Sequence, residues 1–159
     1  MIQRYFVFFS SGAAALFLLL TVPVRSERDS QAEIAAFNAK YTDATRRMDN
    51  AATMALFADD AVDLLPGMEP MSGKVMITKW LDQTMEGLKG IQMVSNEDEF
   101  HDIEVSGNWA SEWANTHQVV NLADGKRVEI YGKMLLVLQK GGDGQWKIKE
   151  EMWNNIEKH

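Results

Sequence analysis

Residues 109–154 read WASEWANTHQVVNLADGKRVEIYGKMLLVLQKGGDGQWKIKEEMWN. Two turn signals divide this stretch into three. Asp124-Gly125 is a hairpin signal, because glycine readily takes the positive φ that tight hairpin turns need. Gly141-Gly142-Asp143-Gly144 marks a second reversal. Between them, apolar residues recur with a period of two. Val128, Ile130, Met134, Leu136 and Leu138 share one face of the piece from Lys126 to Lys140, as a half-buried strand requires. Trp109–Leu122 precedes this strand and Gln145–Asn154 follows it. Ile91–Val105 reads as an earlier strand, with the acidic stretch Glu97-Asp98-Glu99 expected to interrupt it. Ser106-Gly107-Asn108 turns it into the next. Consecutive strands joined by short turns make an antiparallel meander.

Upstream the period changes to that of a helix. Ile77, Trp80, Leu81, Thr84, Met85 and Leu88 follow the i, i+3, i+4, i+7, i+8, i+11 template. Ser72 is the expected cap, and Gly87 and Gly90 the stop. Ser30 and Glu33 have capping-box spacing, so a first helix is expected to start there, with Ile34, Phe37, Tyr41 and Met48 on or near one face. Asp49 and Asn50 end it and can cap a short second helix holding Met54 and Phe57. Val62 to Leu65 is a short extended piece. Pro66-Gly67 and Pro70 mark an irregular loop. Helices followed by a meander define an α+β domain: three N-terminal helices packed on a strongly curved antiparallel sheet. The strands are about 10–14 residues long against a usual five or six. Long strands twist and curl, and so create a concave side.

Composition narrows the partners. The 159 residues hold no Cys, which excludes disulfides, thiolate metal sites and a Cys nucleophile. The formal charge of −7 excludes an extended basic face for nucleic acid. Residues 1–26 differ from the rest. Arg4 precedes an apolar run from Tyr5 to Val24, and Val24 and Ser26 suit a cleavage site. This is the pattern of a signal peptide, the alternative being an uncleaved membrane anchor. Removing 26 residues that carry two arginines and no acid leaves a domain of 133 residues, 27–159, and takes the charge from −7 to −9. The domain is therefore expected to be exported, periplasmic or secreted, and to meet a membrane only if residues 1–26 are retained.

Several stretches together resemble a known superfamily. Ala39-Lys40-Tyr41 lies on the first helix. Phe57-Ala58-Asp59-Asp60-Ala61 is followed by Pro66 and by Ser72-Gly73-Lys74. The end reads Gly132-Lys133-Met134-Leu135-Leu136-Val137-Leu138, Asp143-Gly144-Gln145-Trp146-Lys147-Ile148 and Met152-Trp153-Asn154. Over residues 31–155 the chain resembles the nuclear transport factor 2-like superfamily, and within it the SnoaL-like and ketosteroid isomerase-like branch. The resemblance implies a cone-shaped domain. In isomerase-like members an Asp base moves the proton, while a Tyr and a protonated acid bind the developing enolate. Tyr41 matches that Tyr. Leu65 stands where the base belongs, and residues 131–137 hold no carboxylate for the acid. The steroid-isomerase set is therefore incomplete.

Other groups remain as candidates. Alternation puts Trp109, Ser111, Trp113, Asn115, His117 and Val119 on one face of their strand, with Glu112, Gln118 and Val120 on the other. On the last strand it groups Lys149, Glu151 and Trp153 against Trp146, Ile148, Glu150 and Met152. The resemblance turns Trp153 toward the pocket, so Glu151 follows it, with Lys149 as a partner. His117, Glu151 and Asp63 are the candidate catalytic groups, since each can carry a proton. Tyr41, Trp80, Trp113, His117, Tyr131, Glu151 and Trp153 are the candidate ligand-binding residues. His101, His117 and His159 are too scattered for a metal motif, and no cofactor fingerprint occurs. The expected partner is a small apolar molecule, and the fold admits a homodimer through the sheet. Two functions remain open: a binding domain for an apolar or aromatic ligand, and a proton-transfer enzyme such as an isomerase, cyclase or lyase. A protein–protein module ranks behind both.

Overall fold

The structure, a computed structural model, describes residues 27–157, and the export segment expected over residues 1–26 lies outside them. In chain order the elements are α1 (Glu27–Arg46), α2 (Asn50–Ala55), β1 (Phe57–Leu64), β2 (Met71–Ser72), α3 (Lys74–Gly87), β3 (Gln92–Ser106), β4 (Trp109–Asn121), β5 (Arg127–Lys140) and β6 (Trp146–Asn155). The strands form one curved, unclosed sheet in the order β2-β1-β6-β5-β4-β3, and the helices pack on its concave side. The meander from β3 to β6 is antiparallel as expected. β1 adds a parallel pair along β6, so the whole sheet is mixed. That pairing joins segments some ninety residues apart, which local periodicity cannot reveal.

Three local expectations are corrected. Ser30 lies inside α1 rather than capping it. Glu33 instead accepts from Lys140 Nζ and from Trp146 Nε1, the latter at 3.1 Å, which ties α1 to the ends of β5 and β6. Gly73, not Ser72, stands at the N-cap of α3, with no side-chain cap bond. The acidic stretch does not interrupt β3. Asp98 turns inward and accepts from Thr42 and Asn96 while Glu97 and Glu99 face solvent, so the strand keeps its alternation. The cap expected from Asp49 is present: its side chain accepts from Ala52 N at 2.9 Å.

Ile34 of α1, Ile77 of α3, Leu136 and Leu138 of β5 and Ile148 of β6 are the fully buried centre. Each takes about 1.5–3 kcal/mol of favourable transfer free energy from burial. Gly132 of β5 serves a different need. A Cβ there would lie 2.7 Å from Thr116 Oγ1 and 3.0 Å from Trp153 Nε1. Its bare Cα lets the Trp153 indole lie against the sheet. Gly132→Ala is expected to push Trp153 out and cost about 1–3 kcal/mol, as overpacking does. A lowered thermal midpoint and altered tryptophan emission are the readout, and an unchanged pair would show that the indole has room to shift.

Candidate functional site

The register of the sheet assembles a row of inward side chains. Glu112 of β4 pairs with Leu136 of β5, Leu136 pairs with Glu151 of β6, and Glu151 pairs with Asp63 of β1. One line across four strands therefore carries three carboxyls around a single leucine. Glu112 is 2%, Asp63 3% and Glu151 7% exposed. α1 supplies their partners, because Asn38 and Tyr41 lie one helical turn apart over this row. The Tyr41 hydroxyl donates to Glu151 Oε1 at 2.6 Å. Asn38 Nδ2 donates to Glu112 Oε2 at 2.7 Å. Asp98, on β3, stands close enough to raise the pKa of both Tyr41 and Glu151.

None of these four carboxyls is ion-paired to a basic side chain among the described residues. Burial without a counter-charge favours the neutral acid. Burial pushes Glu151 up to about 7, Asp63's charge adds to this, and the Tyr41 hydrogen bond partly offsets it. Burial likewise lifts Asp63 to about 6, against a lowering hydrogen bond from its neighbouring backbone at Leu64. Glu112 rises to about 7 for the same reason, offset by Asn38. Burial first, then the carboxyl of Glu151, hold the Tyr41 phenol well above its usual value, so it stays a proton donor. Burial thus brings both Glu151 and Asp63 toward neutral pH, where each can give or take a proton.

The candidates divide into two groups. Tyr41, Glu151 and Asp63 come together in the interior. Trp80 and Trp153 are half-buried and pack against the core around them. Trp113, His117 and Tyr131 lie on the opposite, outer face of the sheet. There the His117 ring stacks on Tyr131 at 4.4 Å, and Glu129 Oε2 meets both His117 Nε2 (3.2 Å) and the Tyr131 hydroxyl (2.5 Å). Trp113 stacks on His101 at 4.2 Å and donates to Asp102 at 2.6 Å. The inner face of β4 is instead Ala110, Glu112, Ala114 and Thr116, all buried. Lys149 does not pair with Glu151. It sits at a bulge, where Val137 pairs with Glu150 and Leu138 with Ile148, and reaches Asp60. The bulge also puts Ile148 and Glu151 on the same side, against simple alternation. Sequence reading missed Asn38, Asp98 and Glu112. The available signal was Asn38 on the Ile34–Tyr41 stripe of α1, a polar residue that only a buried partner would explain.

Fold and site together define a nuclear transport factor 2-like cone with an acidic interior. The profile of the SnoaL-like domain matches residues 26–151, and the chain belongs to that family. Among solved structures it is similar to a ketosteroid isomerase-like protein from Erwinia carotovora atroseptica, with a TM-score of 0.69 and 23% identity over 80% of this chain and 96% of that one. ActVI-ORFA from Streptomyces coelicolor is similar with a TM-score of 0.68 and 16% identity, covering 80% and 97%. A nuclear transport factor 2-like protein of unknown function from Pseudomonas putida gives 0.65 and 19%, covering 82% and 89%. These likenesses show the fold. No curated protein sequence matches the chain.

Proposed function

We propose that the protein binds a small, largely apolar carbonyl compound beside Tyr41, Glu151 and Asp63 and moves a proton on it. The observation that carries this reading is the buried Tyr41–Glu151 hydrogen bond with Asp63 in register beside it. An ionised carboxylate of the pair takes a proton from the carbon next to the carbonyl. The Tyr41 hydroxyl, or the protonated partner acid, donates to the oxygen where charge develops. The proton then returns to a different carbon, or to the same one. Leu65, Trp80 and Trp153 are partly buried apolar side chains packed against the core that holds these groups, and this reading has the ligand enter among them. Asp63 takes the part of a base on the strand that ends just before Leu65, which replaces the carboxylate of the isomerase-like set. The mechanism needs no metal. The export segment expected over residues 1–26 would place this chemistry outside the cytoplasm.

Deuterium uptake tests the reading. The protein is incubated in D2O with a panel of cyclic and aromatic ketones, and loss of the α-proton signal is followed by NMR. At least one ketone is expected to exchange faster than in buffer. Glu151→Gln should slow that exchange about a hundredfold, the usual share of one general acid–base group. Tyr41→Phe should slow it less, because the neutral acid can still donate. No exchange above the Glu151→Gln level with any ketone would sink the proposal.

A further inference from the structure

Glu151 is 7% exposed, and its hydrogen bond from Tyr41 is buried. A base in such a place regains its working form only when its proton has a way back to solvent. A groove of about 440 Å³ between α1 and β3 lies at the edge of the acid row. Asn38, Ala39 and Thr42 of α1 border it on one side, and Asp98, Phe100 and Ile103 of β3 on the other. Two of these helix residues also adjoin the row: Asn38 holds Glu112, and Thr42 follows Tyr41, which holds Glu151. Asp98 reaches both sides. It lines the groove, and it stands close enough to Tyr41 and Glu151 for its charge to act on them. The sheet register agrees. Asp98 pairs with Thr116 and Thr116 with Gly132, the glycine against which the Trp153 indole lies, and Glu151 precedes Trp153 by two residues on the same face. Three elements converge on the Asp98 carboxyl. Thr42 Oγ1 of α1 donates to Oδ2 at 2.7 Å and Asn96 Nδ2 of β3 at 2.8 Å, while Gln118 Nε2 of β4 donates to Asn96 Oδ1 at 2.9 Å. Both direct bonds end on Oδ2, so one oxygen fixes the carboxyl and Oδ1 takes no part in holding it.

We propose that Asp98 carries protons between solvent in this groove and the Tyr41–Glu151 pair. The relay rests on the proton-transfer reading of that pair for its use. To load Glu151, solvent gives a proton to Asp98 Oδ1. Asp98 passes one, directly or through one water, to the Tyr41 oxygen as the Tyr41 hydroxyl proton moves to Glu151 Oε1. Asp98 and Tyr41 end as they began, and Glu151 has gained one proton. The reverse sequence clears it. Burial raises the pKa of Asp98, against the hydrogen bonds from Thr42 and Asn96, so it takes up a proton more readily than an exposed carboxyl. Asp43 also borders the groove, but hydrogen bonds from Arg46 and Arg47 hold it low and keep it ionised.

The test is the exchange rate of the Tyr41 hydroxyl proton with water, read by NMR saturation transfer without any ligand. The proton is assigned by its loss in Tyr41→Phe. Asp98→Asn still accepts from Thr42 and Asn96, so a purely structural Asp98 would be replaced with no change in exchange. The relay predicts a rate about a hundredfold lower, as expected when one positioned acid–base group is lost. Ala39→Trp, at an exposed helix position, should fill the groove and slow exchange with Asp98 intact, and it decides the matter even if Asp98→Asn fails to fold. A parent proton that exchanges too fast to be seen should appear in both variants. An unchanged rate in either folded variant, or a proton invisible in all three proteins, overturns the proposal. With a ketone that exchanges in D2O, Asp98→Asn should lower deuterium wash-in more than proton transfer within the ketone. Absence of any such ketone would count against the interior chemistry alone, and the Tyr41 rate would still decide the relay.

Discussion

Between pH 5 and pH 8 the unfolding free energy is expected to fall by several kcal/mol. The cause is the row of buried carboxyls. Glu112 and Glu151 titrate near 7 in the folded protein against an ordinary 4.5, and Asp63 near 6 against 3.8. Between these values the folded protein keeps protons that the unfolded chain has already released. Stability therefore decreases as pH rises, because the unfolded state binds fewer protons. The contribution of each acid is intact below its unfolded pKa and lost as pH passes its folded one. One pK unit corresponds to about 1.4 kcal/mol, so three such groups act on the order of 5 kcal/mol together. Asp43 and Asp60 are held low by hydrogen bonds from Arg46 and from Lys149, and so act with the opposite sign, only at more acid pH. Urea titrations at pH 5, 6.5 and 8 measure the slope. Glu112→Gln should flatten it. A glutamine can accept from Asn38 Nδ2 and donate back to Asn38 Oδ1, joining the two atoms that Glu112 Oε1 and Asn38 Oδ1 now leave unmet. The variant should gain about 1–3 kcal/mol at pH 8, the worth of an unmet buried group, and little at pH 5. A stability that climbs from pH 5 to pH 8 would contradict the whole account.

Leu136→Ala is expected to cost about 3 kcal/mol, in the middle of the range for a fully buried leucine. Leu136 is 0% exposed and stands in register between Glu112 and Glu151. Its side chain fills the core and keeps two carboxyls apart in a dry environment. Truncation leaves a space bordered by acids, which is polar enough to admit water. Water there would ease ionisation of both. The variant should therefore lose stability most at pH 5 and show a shallower pH dependence than the parent. Leu138→Ala is the control. Leu138 is equally buried but pairs with Ala110 and Ile148, so its loss should cost stability without changing the slope. Identical slopes in the two variants would remove the role given to Leu136.

The legibility of the sequence follows from the range of each interaction. The β3–β6 meander was readable because its turns are local and its period is two. So was α3, from a stripe that includes Ile77, Trp80 and Leu81. Tyr41, Glu151 and Asp63 were reachable through the resemblance and through strand parity. The facing of β4 was not. Trp113 and His117 were expected to bind ligand, yet the buried face of β4 is Ala110, Glu112, Ala114 and Thr116, and the aromatics lie on the other side. Glu112 thus faces inward, opposite to expectation, and Asn38 became intelligible only as its partner. The bulge at Lys149 and the parallel β1–β6 pair depend on contacts between distant segments, and no local pattern encodes them.

The bulge at Lys149 also bears on how relatives of this chain can differ in length. Two residues there occupy the place of one, so removing Lys149 restores plain pairing and leaves Ile148, Glu151 and Trp153 facing as they do now. Loss of a residue between Glu151 and Trp153 would instead reverse the strand beyond it. β6 thus has a position where a gap keeps the pairing with β5 in phase, just before the acid that matters most, and an alignment that places a deletion there joins true equivalents along that pair.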